Sequence, residues 1–134
     1  MKIDDLIFFG WESHHFQEEP SKYIALSKVF ETSKVLDYEI ICAIEESETY
    51  SARCYVLVRK DGKLFEVEAS HCSCHGYEDL WEPKEVSEKY LQNRFLSDTN
   101  RNNFLQSYSD SDDSEPSENF NRLQIAASLA GINI

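Results

Sequence analysis

Between Pro20 and Ser33, Tyr23, Leu26 and Phe30 recur at the spacing that places side chains on one face of an α-helix. Glu18 and Glu19 stand just before, where negative charge favours the positive end of a helix dipole. A helix is therefore expected over residues 20–33. From Asp37 the period changes to two: Tyr38, Ile40, Cys42 and Ile44 alternate with Glu39, Ile41, Ala43 and Glu45, which reads as a strand, and 46–49 supplies a polar turn. A second strand is expected over 50–59. Lys60-Asp61-Gly62-Lys63 carries the Asp-Gly pair of a tight hairpin, and 64–69 follows as a third strand. After a loop over 70–83, Val86, Tyr90, Leu91 and Phe95 share one face, which predicts a second helix over 84–96 packed on the sheet. Phe104, Leu105 and Tyr108 mark a short third helix. The expected fold is α+β, a three-stranded antiparallel meander packed by two or three helices.

The pattern breaks at Ser107. Residues 107–118 hold Asp110, Asp112, Asp113, Glu115 and Glu118 with no base, a composition that buries too little to offset its ordering entropy, and a flexible acidic linker is expected there. Helical periodicity returns through Phe120, Leu123 and Ala127, with Ser117 as cap and Gly131 as stop. The chain thus divides into an α+β domain at 1–106, a linker at 107–118 and a C-terminal helix at 119–134. That helix either docks on its own domain or binds a partner, including a second copy as a homodimer.

Composition supports a folded chain: of 134 residues 41% are hydrophobic and 13% aromatic, enough for a core. No apolar run is long enough for a membrane helix, and no export signal is recognisable, which points to the cytoplasm. Charge narrows the function. With 25 Asp plus Glu against 13 Lys plus Arg, the net charge of -12 repels phosphate backbones and anionic membranes and attracts basic surfaces. Direct nucleic-acid binding is therefore excluded. A partner with a basic, nucleic-acid-binding groove is favoured, with Glu45, Glu46, Glu48, Glu66 and Glu68 as acidic contact positions and Trp81 as an aromatic anchor.

The densest chemistry lies in the loop Ser70-His71-Cys72-Ser73-Cys74-His75-Gly76. Thiolate and imidazole are favoured zinc ligands, so His71, Cys72, Cys74 and His75 form a candidate zinc site, with His14 or His15 as recruits. A single residue between the cysteines departs from the usual two-residue spacing of structural zinc sites. Three further readings stand beside zinc, one of them a Cys72–Cys74 disulfide, which would be strained and out of place in a reducing compartment. Cys72 or Cys74 is a nucleophile activated by His71 or His75, giving a thiol-dependent enzyme, or the loop is purely structural, with Gly76 turning the chain and Trp81 plugging the sheet edge. Cys42 and Cys54 lie on apolar strand rows and read as inert core thiols. Phosphate-binding loops, the Gly-x-Ser-x-Gly elbow and His-Glu-x-x-His are absent from the sequence, so the leading reading is non-enzymatic.

His71-Cys72-Ser73-Cys74, Gly76 and Trp81-Glu82-Pro83, following a Lys-Asp-Gly hairpin and preceding a helix, resemble a motif of a family of small, acidic, uncharacterised bacteriophage and prophage proteins. The similarity covers about residues 50–95, and this sequence departs from the motif in having His75 at an aromatic position. The resemblance implies a phage-encoded protein acting in the host cytoplasm. Small acidic phage proteins are often inhibitors of host machinery or immunity, including restriction and CRISPR systems, and a DNA mimic of this type would occupy the basic surface that the charge argument reached independently.

Overall fold

Ile40-Ile41-Cys42-Ala43-Ile44 is an unbroken apolar run, and every one of its side chains is buried because the strand carrying it is covered on both faces. The computed structural model describes residues 7–11, 14, 16–72, 76–106 and 115–134. Within them the strands are β1 (Phe8–Phe9), β2 (Glu39–Ser47), β3 (Ser51–Lys60), β4 (Lys63–Cys72) and β5 (Lys84–Val86). The helices are α1 (Lys22–Val29), α2 (Glu88–Arg94), α3 (Asp98–Asn102) and α4 (Glu118–Leu129), with 3-10 turns at Phe16–Glu18 and Ser33–Asp37. The sheet has five strands in the order β1-β2-β3-β4-β5. β1 runs parallel to β2 and every other pair is antiparallel.

This corrects the expectation of a three-stranded antiparallel meander: the meander forms the centre of a five-stranded mixed sheet. β1 is too short to show an alternation, and it pairs through Phe8 with Ala43 and Phe9 with Ile44. β5 falls within the stretch expected to be helix, because Val86 lies at helical spacing from Tyr90. Ser87 accepts a hydrogen bond from the Tyr90 amide (3.0 Å) as the N-cap of α2, so the chain stays extended up to Val86.

Two apolar clusters cover the sheet. On one face α1, the 3-10 turns and the 76–81 segment pack Trp11, Leu26, Phe30, Val35, Tyr77 and Trp81 on Ile40, Ala43, Cys54, Val56 and Val58. On the other, α2 and α4 pack Leu91, Phe95, Phe120, Leu123 and Ala127 on Ile41, Cys42, Ile44, Tyr55 and Leu57. A register shift between Ile40 and Cys42 explains why Ile41 and Cys42 share a face: the bulge inserts one residue and inverts the alternation beyond it. Asp61 and Gly62 both take positive φ (53° and 77°), the geometry a two-residue hairpin requires.

The C-terminal helix docks on its own sheet. Ser117 accepts from the Phe120 amide (3.0 Å) and donates to the Phe104 carbonyl (2.7 Å). Gly131 and Ile132 donate to the carbonyls of Ser128 (3.0 Å) and Ala127 (2.8 Å), closing the helix at the expected stop with Ile132 buried beside it. The apolar row expected to be available to a partner is therefore spent internally; Ile125 and Leu129 are the large apolar side chains it leaves exposed. Of the expected linker, residues 107–114 lie outside the described residues. No helix among the described residues is long and apolar enough to cross a membrane.

Candidate functional site

A strap from β1 to Phe16 crosses one face of the sheet. Gly10 (φ 90°) sits so close to the Glu45 carbonyl that a Cβ there would lie 2.0 Å from its oxygen, so only glycine lets the chain pass. Trp11 Nε1 then donates to the Ala43 carbonyl (3.0 Å) and its ring stacks on Phe16 at 5.3 Å. His14 Nε2 lies 2.8 Å from Glu45 Oε2, a carboxylate with no exposed side-chain surface. The Tyr77 ring packs on Trp11, His14 and His71, at 6.0, 6.2 and 4.4 Å between centroids. Its hydroxyl lies beside Cys54 and Glu45, although it makes no well-aligned hydrogen bond among the described residues.

Burial, reinforced by Cys54 and Glu45, pushes the Tyr77 pKa up, and burial beside Glu66 does the same to Tyr55. A raised phenol pKa means the folded state keeps a proton the unfolded chain releases above pH about 10. Stability contributed by the neutral phenols is whole below that value and falls as pH rises beyond it. Tyr55 and Tyr77 are expected to ionise only on unfolding; a tyrosinate absorbance titration set against circular dichroism checks this.

The Trp11 and His14 contacts tie the strap to the sheet.

The surface hollows lie side by side at the end of the sheet where β2, β3 and β4 meet. One, about 570 Å³, is lined by Glu46, Glu48, Arg53, His71, Cys72 and Gln106. The other, about 530 Å³, shares Arg53 and Ser70 with it and extends to Glu68, Arg94, Phe95 and Asn100. Arg53 spans the boundary, donating to Glu46 Oε2 (2.8 Å) and to the Gln106 carbonyl (2.8 Å).

The expected contact positions divide. Glu48 and Glu68 are exposed, and Glu46 is half-buried against Arg53. Glu45 and Glu66 are inside: Glu45 follows the bulge onto the row of Ala43, and Glu66 shares its row with Leu64, accepting from the Tyr55 hydroxyl (2.9 Å) and Arg94 (2.9 Å). Trp81, expected as a partner anchor, is a core residue packed on Phe30 (5.1 Å) and Tyr38 (5.9 Å). The Tyr55-Glu66-Arg94 network escaped the sequence reading, which took every strand carboxylate as outward. The alternation itself held the signal, since Glu66 is two residues from buried Leu64.

For the zinc reading, Cys74 and His75, like His15, lie outside the described residues. His71 Nδ1 is 2.8 Å from the Cys72 carbonyl oxygen, and no group of three potential metal ligands occurs among the described residues. Cys42 and Cys54 are buried thiols; burial pushes Cys42 up to about 12 and Cys54 higher still. In iodoacetamide labelling with peptide mapping, Cys42 and Cys54 should react only after denaturation, while exposed Cys72 reacts in the native state. Labelling of Cys54 in the native protein would show that the face under Tyr77 opens.

No protein-family model matches the chain, and neither a curated protein nor a solved structure is significantly similar to it.

Proposed function

We propose that the chain is an acidic binding protein that occupies a basic surface of a partner protein, of the kind that otherwise holds a nucleic-acid backbone. One observation carries this reading. All five arginines are already paired with carboxylates of the same chain: Arg53 with Glu46, Arg59 with Glu39, Arg94 with Glu66 and Glu68, Arg101 with Asp98, and Arg122 with Glu118. Bidentate guanidinium contacts to phosphate are the strongest tools for holding nucleic acid, and here each is committed internally. The charge left over is acidic and includes the exposed Glu31, Glu48, Asp61, Asp79, Glu82 and Glu115.

The sheet end fits this role, since Glu46 and Glu48 line one of its hollows. The resemblance of the 71–83 segment to phage proteins supports a target among host defence or nucleic-acid-processing proteins. The test is a tagged pull-down from nuclease-treated host lysate at low and high salt. A stoichiometric partner with a basic groove, released at high salt, is expected. A partner retained equally at both salts, or the chain binding nucleic acid itself, would overturn the reading.

A further inference from the structure

Among the described residues, three of the ten residues of β4 are paired on its outer side. β5 covers Leu64, Phe65 and Glu66, and the strand continues to Cys72 with β3 as its one described neighbour. The hairpin fixes which backbone groups this leaves open. Lys60 and Lys63 close the two-residue turn as a hydrogen-bonded pair, so the odd-numbered residues of β4 address β3 and the even-numbered ones address the outer edge. Leu64 and Glu66 meet β5 in this way. Glu68 and Ser70 are exposed, and among the described residues they make no backbone hydrogen bond outside the sheet ladder.

Beside this edge lies the 530 Å³ hollow, lined by Glu68 and Ser70 of β4, by Arg53, whose charge Glu46 meets, by Arg94 at the end of α2 with Phe95 as its cap, and by Phe104. Arg94 bridges Glu66 and Glu68, so the trio keeps one uncompensated negative charge. Backbone groups offered along an edge, with a pocket for alternate side chains, are the two parts of recognition by strand addition.

We propose that the open stretch of β4 receives an extended, basic segment of a protein partner as an added strand, with a lysine or arginine side chain in the adjoining hollow. This rests on the reading of the chain as an acidic binding protein and gives that reading a docking place. The incoming strand bonds to Glu68 and Ser70 through its backbone. The aliphatic stem of its basic side chain lies on Phe95 and Phe104 while the cation meets Glu68.

The test uses the full chain, isotope-labelled, with a short alternating Lys-Val peptide as probe and an alternating Glu-Val peptide as control. Amide exchange at Glu68 and Ser70 should slow about tenfold or more with the Lys-Val peptide and stay unchanged with the control. Ser70→Pro removes an outward N–H without touching the β3 ladder, and it should weaken Lys-Val binding about tenfold at an unchanged melting temperature. Should that variant fail to fold, exchange in the unaltered chain decides alone. Protection of Glu68 and Ser70 in the free chain at every concentration would mean that the chain covers its own edge, and protection growing with protein concentration would mean a second copy does. Either overturns the proposal. Salt-sensitive Lys-Val binding with unaltered exchange at both amides also overturns it, yet leaves the acidic-binding reading standing; no Lys-Val binding at low salt removes both.

Discussion

Replacing Arg94 with alanine is expected to destabilise the protein by about 3 kcal/mol, because it strands a buried carboxylate. Glu66 is 6% exposed and has two partners, the Tyr55 hydroxyl and Arg94. Without the guanidinium its charge faces Tyr55, itself buried, and the Leu64 row of the core. Arg94 also stacks over Tyr55 (5.5 Å) and Phe95 (5.2 Å), so truncation removes packing as well as charge. For a chain of this length the loss corresponds to a fall of roughly 10 °C in melting temperature. Pairing Arg94→Met with Glu66→Leu should recover most of it, since a buried ion pair replaced by apolar groups of similar volume is often close to neutral. A change of less than about 2 °C for Arg94→Ala would show that Glu66 finds water, and the buried-network account would fail.

Phe120→Ala is expected to cost about 3–5 kcal/mol, a large share of the stability of a single domain. Phe120 is 2% exposed on α4, its ring against Phe95 at 5.1 Å and Phe104 at 6.4 Å, so removing it empties the point where α2, α4 and the segment after α3 meet. Urea denaturation followed by a core-sensitive probe measures the loss. A single transition shifted to lower denaturant is the expected result. An unshifted midpoint with α4 melting separately would mean that the C-terminal helix is an independent appendage.

The central meander was legible because β2, β3 and β4 alternate over long stretches and the Asp61-Gly62 pair fixes the hairpin between β3 and β4. Both ends of α4 were legible for a comparable reason, since Ser117 and Gly131 carry their local chemistry in their identity. The edge strands were not. β1 owes its conformation to pairing with Ala43 and Ile44, more than thirty residues away, and β5 to the Ser87 cap beyond it. Sheet coverage on both faces was written in the run Ile40–Ile44, but a bulge disguises it as simple alternation.

The candidate site was less legible for an electrostatic reason. Composition shows how many carboxylates the chain has, whereas ion pairs decide which remain available, and several of those pairs join distant residues, as Arg94 with Glu66 and Arg59 with Glu39. The His-Cys loop drew attention through its residue types. Its aromatic members Tyr77 and Trp81 prove to be core residues on the α1 face of the sheet, which gives that part of the segment a folding role.

The central claim, that this chain competes for a surface made to hold phosphates, is tested most directly by displacement. Labelled nucleic acid is bound to the captured partner and the chain is titrated in. The account predicts complete release of the nucleic acid, with an apparent affinity that falls steeply as salt is raised. A stable ternary complex, with partner, nucleic acid and chain bound together at equal stoichiometry, would contradict it.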